Sequence, residues 1–237
     1  MYNNKKISVV FPAYNEEENI VTAIKDFFET GVIDEIIVVD NNSSDSTAEK
    51  VSQTNATLVK EKKQGYGHAL QKGLRKATGD LIILSEPDGT FVGKDVFKLL
   101  SYAGDFKFVL GTRTTKELIR EGANMNYFLR LGNIVMAKLL ALLFHGPSLS
   151  DCGCTTRLIH KDALEVFRTK LTVGRSHFLP EMVILALLSE LSVIEVPINY
   201  KKRIGVSKIT GSFRGSITTG LKMFSLILKY KLKQIGI

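Results

Sequence analysis

Cysteine is scarce in this sequence, tryptophan is absent, and no long apolar run is uninterrupted. The two cysteines, Cys152 and Cys154, are separated by one residue. Such close neighbours rarely form a good structural disulfide, and two thiols alone do not make a zinc site. We therefore expect both thiols to be reduced and the protein to be intracellular.

The apolar stretches are too short or too interrupted to predict a membrane span or a leader. The longest, residues 127–144, contains Arg130, Asn133 and Lys138. The apolar run at residues 7–11 is shorter than the core of a signal peptide. We expect a protein that is soluble or bound peripherally at the cytoplasmic face of a membrane.

Basic residues exceed acidic ones and give a formal net charge of +8. Such a surface attracts nucleotides, nucleic acid or an anionic membrane. The lysines and arginines are scattered and no nucleic-acid recognition motif accompanies them, so no nucleic-acid partner is predicted.

Strand and helix patterns alternate through the first half of the chain. Short apolar runs predict strands at residues 7–11, 35–39, 57–60 and 81–84. Helical patterns lie between them, the first capped by Asn15 and opened by three glutamates. This alternation predicts an α/β domain with a mostly parallel, twisted, Rossmann-like sheet flanked by helices.

The second half is less regular. It predicts strands at residues 106–111 and 193–196, and helices at residues 126–144, 181–191 and 213–234. We find no internal repeat or linker, so we expect a single domain spanning residues 1–237.

Three polar clusters follow directly after predicted strands, at residues 12–16, 40–45 and 86–88. In parallel sheets ligands bind at the carboxyl ends of the strands, so these clusters are expected to converge. Glu86 and Asp88 present two carboxylates one residue apart, and Mg²⁺ or Mn²⁺ takes one or two such groups together with phosphate oxygens and water. The alternative is a solvated acidic turn.

Five motifs occur in a fixed order, and the set is more specific than any one of them. They are Phe-Pro-Ala-Tyr-Asn-Glu at residues 11–16, Val-Asp-Asn-Asn-Ser-Ser-Asp at 39–45, Gly-Tyr-Gly-His-Ala at 65–69, Gly-Asp at 79–80 and Glu-Pro-Asp at 86–88. Together they resemble the family-2 nucleotide-sugar glycosyltransferases with the GT-A fold, and among these the dolichyl- and polyprenyl-phosphate sugar transferases.

The resemblance implies which residues bind the donor and the metal. Its nucleotide contacts correspond to Pro12, Tyr14, Glu16, Asp40 and Gly67. Its Asp-x-Asp metal motif corresponds to Glu86 and Asp88, with Glu in place of the first Asp, so that Asp88 alone is a candidate direct ligand and Glu86 a ribose or water contact. Thr90 is a further candidate metal ligand.

The resemblance continues downstream. Three elements carry cations: Gly-Thr-Arg at residues 111–113, Asp-Cys-Gly-Cys-Thr-Thr-Arg at 151–157 and Arg-Ile-Gly-Val-Ser-Lys at 203–208. Gly-Ala-Asn at 122–124, together with Arg130, resembles the family's segment at the start of the acceptor helix. Arginine binds phosphate through two parallel hydrogen bonds, and lysine adds a compact charge. Arg203 and Lys208 are expected to stabilise the leaving diphosphate from a mobile loop. Arg113, Arg130 and Arg157 are expected to grip an acceptor phosphate.

The acceptor remains open at this level. A hydroxyl acceptor needs a carboxylate base, for which Asp151 and Glu181 are the candidates, whereas a phosphate acceptor needs none. In the last helix Ile217, Leu221, Phe224 and Leu228 share one face, with lysines roughly opposite. This pattern fits a helix lying in a membrane interface or an ordinary core-packed amphipathic helix.

We therefore predict an inverting, metal-dependent hexosyltransferase that moves a sugar from a UDP- or GDP-linked donor to a lipid phosphate. Residues 1–111 form the donor half, 112–212 the acceptor half and 213–237 the interfacial helix. Transfer to a glycan or other hydroxyl is one alternative, and a non-catalytic nucleotide-sugar-binding subunit is another. The Gln-x-x-Arg-Trp element of processive synthases is impossible without tryptophan, and the missing glycine-rich start disfavours a pyrophosphorylase.

Overall fold

The computed structural model describes residues 2–205 and 213–236. Its strands are β1 (Ile7–Ala13), β2 (Glu35–Asp40), β3 (Thr57–Lys60), β4 (Leu81–Leu84), β5 (Phe108–Thr112), β6 (Arg157–His160) and β7 (Val193–Pro197). Its helices are α1 (Ile20–Phe28), α2 (Thr47–Ser52), α3 (Tyr66–Lys76), α4 (Val96–Leu100), α5 (Tyr127–Leu143), α6 (Lys161–Phe167), α7 (Phe178–Leu188) and α8 (Phe213–Gln234). The predicted α/β architecture is confirmed.

The strands form one seven-stranded sheet in the order β3-β2-β1-β4-β6-β5-β7. β1 pairs in parallel with β2 and β4, and β5 pairs in parallel with β7. Only β6 runs antiparallel, between β4 and β5. The strand order reverses around β1 and β4, so the loops after these two strands open onto one crevice.

Helices cover both faces of the sheet because successive residues of its buried strands point to opposite sides. Val10 packs into the layer formed by α3, α5, α6, α7 and α8. Val9 and Phe11 pack into the opposite layer with α1, α2 and α4, where the Phe11 and Phe27 rings meet edge to face at 5.0 Å. The two apolar layers hold the strand ends, and with them the polar loops, in fixed positions.

The first helix begins later than its sequence pattern predicts. The pattern placed the cap at Asn15, but α1 starts at Ile20 and Asn15 has a positive φ of 54°. The Asn15 backbone N–H donates to Ser43 Oγ at 3.0 Å, and Ser44 N–H donates to Asn15 Oδ1 at 2.8 Å. These bonds pin the loop after β1 to the loop after β2. Glu16 is therefore left in a turn, facing the crevice, instead of in a helix.

Two further elements differ from the prediction. α7 begins at Phe178, three residues before Glu181, so this carboxylate lies inside the first turn. β6 was missed because a four-residue strand bounded by Arg157 and His160 carries no apolar run of useful length. Both end residues are nevertheless buried.

Candidate active site

A cleft of about 710 Å³ opens at the carboxyl ends of β1 and β4. The loops after these two strands form one wall, with Pro12, Tyr14 and the acidic segment 86–88. The start of α3 and the segment 200–205 after β7 close the two ends, and α5, α7 and α8 contribute the far wall. The predicted convergence of the first and third polar clusters is thus seen in the structure.

Two acidic side chains in the cleft converge on one cationic group. Asp88 is 2% exposed, and its Oδ2 accepts a hydrogen bond from Arg203 Nη1 at 2.5 Å. Arg203 Nη2 reaches Oε1 of the buried Glu16. Asp88 Oδ1 accepts from the backbone N–H of Thr90 at 3.0 Å and from its hydroxyl at 2.5 Å. Thr90 therefore orients the Asp88 carboxylate, and its role as a metal ligand stays a prediction.

Burial and the neighbouring charges shift the pKa values of Glu16 and Arg203. Burial raises the pKa of Glu16 to about 7, with Asp88 adding to the rise and the Arg203 charge opposing it. Burial works against the charge on Arg203, but Asp88 and Glu16 together raise the pKa of its guanidinium. A positive charge is therefore favoured between the two carboxylates.

Glu86 lies beside Asp88 and also lines the cleft, but it forms no ion pair with Arg203 in the part of the chain that the structure describes. Its Oε1 accepts hydrogen bonds from the Tyr66 hydroxyl at 2.8 Å and from Thr155 Oγ1 at 2.7 Å. Burial, with the charge of Asp88, raises the pKa of Glu86 to about 7. In this structure Glu16, and not Glu86, shares a cation with Asp88. Direct metal ligation by Glu86 therefore stays a prediction.

The acidic pair fits a divalent ion of the magnesium or manganese type. Among the described residues no group of three or more histidine, cysteine or acidic side chains could hold a metal. The described residues therefore do not form a zinc site made only of protein ligands. Mg²⁺ needs only one or two carboxylates, because substrate phosphates and water complete its shell. Asp88 and Glu16 already stabilise a full positive charge between them, so the donor set matches.

The loop after β2 borders the cleft through Asn41, a residue that sequence reasoning missed. Its side-chain amide donates to the carbonyls of Glu61 and Lys63, both at 2.9 Å, and its Oδ1 accepts from Gly65 N–H at 2.7 Å. Asp40, the predicted nucleotide contact, is buried behind it and accepts from Ser43 N–H at 3.1 Å. Asp40 does not line the cleft.

Gly67 has a packing role that its motif did not reveal. A Cβ at this position would lie 2.3 Å from the carbonyl oxygen of Val173 and 2.8 Å from the carbonyl carbon of Gly174. Only glycine lets α3 approach the segment before α7 so closely. Gly67 itself does not line the cleft, although Gly65 and Tyr66 do, and its predicted nucleotide contact stays a prediction.

Arg113 is the one of the three predicted acceptor arginines that lines the cleft. Its Nε and Nη2 donate to the two oxygens of Asp151 at 2.8 and 3.0 Å, and its guanidinium lies 5.4 Å from the Tyr200 ring centroid. Asp151 is fully buried and accepts a further bond from Gly153 N–H at 3.1 Å. Both oxygens of Asp151 are thus engaged in positioning Arg113, which disfavours the predicted base role.

Glu181 is also sealed from the cleft. It is fully buried and accepts hydrogen bonds from Thr172 Oγ1 at 2.7 Å, Val173 N–H at 2.9 Å and the Tyr230 hydroxyl at 2.9 Å. The carboxylate thus ties α7 to α8 and to the segment that packs on Gly67. Its burial and its hydrogen bonds disfavour the predicted base role.

Arg157 is the largest correction. Its side chain is fully buried, and it donates to the carbonyls of Cys154 at 3.1 Å, Leu179 at 3.0 Å and Cys152 at 3.4 Å. It therefore holds the 151–157 loop together and cannot reach an acceptor. Arg130 lies half-buried on α5 outside the cleft lining, and Lys208 lies outside the described residues.

Two cations in the cleft were not predicted. Arg175, just before α7, and Lys202, beside Arg203, are exposed residues that line it. Neither forms an ion pair with another residue that the structure describes. The signal for Lys202 was its place next to Arg203. Arg175 had no sequence signal, because only the fold brings the start of α7 to the cleft.

Comparisons with known proteins agree on one family. The model for the family described as "Glycosyl transferase family 2" matches residues 8–167. The low-salt glycan biosynthesis hexosyltransferase of Haloferax volcanii is 29% identical over 208 residues, which are 86% of this chain and 49% of that protein. The chain thus spans about half the length of that relative. An uncharacterized glycosyltransferase of Mycobacterium tuberculosis is 30% identical over 227 residues, 93% of this chain and 97% of that protein.

Solved structures share the fold. Glucosyl-3-phosphoglycerate synthase from Mycobacterium tuberculosis, in complex with Mn²⁺, UDP and glucosyl-3-phosphoglycerate, matches with a TM-score of 0.70 and 19% identity. The match covers 96% of this chain and 80% of that one. Its complex with Mn²⁺, UDP-glucose and phosphoglyceric acid matches with the same TM-score and 20% identity.

Proposed function

The chain belongs to glycosyltransferase family 2, and on that premise we propose that it transfers a sugar from a UDP- or GDP-linked donor to a polyprenyl- or dolichyl-type lipid phosphate. Its fold is of the GT-A type. One observation carries the proposal: Asp88 is buried at the end of β4 and shares a cation with Glu16, inside a cleft at the strand ends. That is where a nucleotide diphosphate and its metal would lie.

The proposed chemistry is direct displacement at the anomeric carbon with inversion. Asp88 would chiefly hold a bound Mg²⁺ or Mn²⁺, which would supply Lewis-acid charge for the leaving diphosphate. Thr90 fixes the orientation of Asp88, and Arg203 adds a second positive charge beside it. Tyr14 and Pro12 border the donor end of the cleft. Holding donor and acceptor in line supplies much of the rate.

Unneutralised cations support an anionic acceptor. Arg113, Arg175 and Lys202 line the cleft from three different segments, and only Arg113 has a carboxylate partner among the described residues. Asp151 and Glu181, the expected bases for a hydroxyl acceptor, are both buried and hydrogen-bonded. A phosphate oxygen is already anionic and needs no base. The cleft therefore suits phosphate better than an alcohol.

Arg175→Gln tests this part of the proposal. We expect the KM for a polyprenyl phosphate acceptor to rise about tenfold, because one charge-assisted contact is lost, while the KM for the donor stays within about twofold. The matched control is Arg168→Gln, whose guanidinium pairs with Glu165 on the exposed surface at 2.8 Å. An unchanged acceptor KM in Arg175→Gln would remove Arg175 from the acceptor site.

A two-helix surface supports binding to a membrane. The α8 face predicted from the sequence is exposed, since Leu221 is 64% exposed and Ile217, Phe224 and Leu228 are also accessible. The opposite face of α8, with Met223 and Ile227, packs into the core. α5 adds exposed apolar side chains of its own: Tyr127, Phe128, Leu131, Val135 and Leu142.

Charge on the same two helices favours an anionic bilayer. Neither α5 nor α8 contains an aspartate or glutamate, and α8 carries Lys222, Lys229 and Lys233. Apolar side chains flanked by lysines can lie in the headgroup region of a bilayer. In the described residues no helix combines the length and apolar character needed to cross a membrane. We propose peripheral attachment through α5 and α8.

Leu221→Glu combined with Leu228→Glu tests the membrane surface. We expect the wild-type chain to float with anionic liposomes and the double variant to lose at least about tenfold in binding, because two charges would have to enter the apolar layer. Val166→Glu is the matched control, since Val166 is equally accessible on α6. If the wild-type chain does not bind even anionic vesicles, a lipid acceptor is contradicted.

A glycan hydroxyl is the second candidate acceptor, supported by the name of the Haloferax relative. One experiment separates the two. Thermal-shift measurements with UDP- and GDP-sugars in Mn²⁺ or Mg²⁺ identify the donor, and transfer is then assayed to polyprenyl phosphates and to glycan acceptors. We expect donor-dependent stabilisation only with the metal and transfer only to the phosphate. Transfer to the glycan alone would overturn the lipid proposal and keep the family.

A further inference from the structure

The segment that carries Arg203 is docked directly on the Asp88 loop. Lys201 N–H donates to the Thr90 carbonyl at 2.9 Å, and Ile204 N–H donates to the Asp88 carbonyl at 3.0 Å. Asn19 holds the Ile204 carbonyl from the other side at 3.2 Å. These contacts flank Arg203 on both sides. Its guanidinium is therefore held over the carboxylates by the backbone and does not merely rest on the surface.

Arg203 uses its two terminal nitrogens on the two carboxylates that suit a divalent ion. Nη1 pairs with Asp88 and Nη2 with Glu16. The remaining nitrogen, Nε, is buried and has no hydrogen-bond partner among the residues that the structure describes. A buried donor left unpaired is costly, so this arrangement invites an additional acceptor. An oxygen of a bound diphosphate would satisfy Nε.

We propose that Arg203 is an intramolecular substitute for the metal in the ligand-free protein, and that the diphosphate of the donor draws it off the carboxylates so that the divalent ion can bind. This inference rests on the proposed function. Two cations cannot share the same pair of carboxylates without strong repulsion in a partly buried site. Metal and nucleotide should therefore bind with positive coupling, and each raises the affinity for the other by the same factor.

The consequence is a low affinity of Asp88 and Glu16 for free metal in the absence of the donor. With Arg203 in place, Mn²⁺ alone must displace an ion pair that is partly buried and held by backbone hydrogen bonds. Once the guanidinium has moved to a diphosphate, both carboxylates are available. The order protects the protein from binding a metal unproductively, and it links metal entry to the presence of donor.

The test is the affinity for Mn²⁺ itself, measured by electron paramagnetic resonance of the free ion with the full chain. Arg203→Gln removes the bridging charge, and Arg203→Lys keeps a charge but loses the planar fork that pairs one nitrogen with each carboxylate. Lys202→Gln is the matched control, because it removes an equal charge from the same cleft without touching Glu16 or Asp88. Each protein is titrated with Mn²⁺ alone and then with UDP or GDP present.

We expect Mn²⁺ alone to bind Arg203→Gln about tenfold or more tightly than wild type, Arg203→Lys in between, and Lys202→Gln like wild type. UDP or GDP should raise the Mn²⁺ affinity of wild type far more than that of Arg203→Gln. Equal or weaker Mn²⁺ binding by Arg203→Gln would overturn the substitution, as would equal gains in Arg203→Gln and Lys202→Gln. Failure of every protein to bind Mn²⁺ even with nucleotide would instead overturn the proposed function.

Discussion

Replacing Asp88 by Asn is expected to reduce sugar transfer by about three orders of magnitude or more. Asp88 is the buried carboxylate at the end of β4, and its Oδ2 faces the cation position in the cleft. An amide carries no charge and binds a divalent ion poorly, so the diphosphate would leave without neutralisation. Turnover is measured with saturating donor and Mn²⁺.

The fold should survive this substitution, because an Asn oxygen can still accept the hydrogen bonds that Thr90 donates. Thermal denaturation monitored by circular dichroism checks this directly. Glu86→Gln is the comparison: its Oε1 is held by Tyr66 and Thr155 and, among the described residues, it is not an ion-pair partner of Arg203, so we expect a much smaller loss. Wild-type turnover in a folded Asp88→Asn protein would refute the assignment of the site.

Replacing Arg157 by Met is expected to lower the free energy of unfolding by about 2–4 kcal/mol. The substitution keeps much of the volume but leaves the carbonyls of Cys152, Cys154 and Leu179 without their donor in a dry interior. Each unsatisfied buried carbonyl costs about 1–3 kcal/mol, partly offset because a buried charge is removed. Urea denaturation gives the difference.

The control is Arg168→Met, which breaks an exposed pair with Glu165 and should change the unfolding free energy by less than about 0.5 kcal/mol. The two readings of Arg157 predict opposite results. If Arg157 bound the acceptor phosphate, its substitution would leave stability intact and raise the acceptor KM. A stable Arg157→Met protein with that kinetic defect would restore the interpretation that the structure corrects.

Much of the fold could be predicted from the sequence, because its strands are apolar runs that alternate with helical patterns. β4, for example, stands out as four consecutive apolar residues followed by an acidic turn. β6 does not stand out, because the polar residues Arg157 and His160 occupy its ends. Both are buried and hydrogen-bonded to backbone carbonyl groups, and no local sequence pattern reveals such contacts. The start of α1 was missed for a similar reason, since tertiary bonds to Ser43 and Ser44 override the capping signal of Asn15.

The site was readable only in part. Sequence order located Tyr14, Glu16, Asp88, Arg113 and Arg203, which all border the cleft. The order of motifs does not indicate which charged side chains point into the protein core, because the direction of a side chain depends on packing and not on residue type. Asp151 and Glu181 are therefore buried positioning residues, and Arg175 became visible only when α7 was placed beside the cleft.

The central claim is that a divalent ion held through Asp88 meets the diphosphate of a nucleotide-sugar in this cleft. Anomalous diffraction at the manganese edge, from crystals soaked with Mn²⁺ and either UDP or GDP, tests it most directly. We expect one strong manganese peak in contact with the Asp88 carboxylate, with the diphosphate beside it and Arg203 moved from Asp88 and Glu16 to a phosphate oxygen. A nucleotide bound in the cleft with no manganese at Asp88 would contradict it.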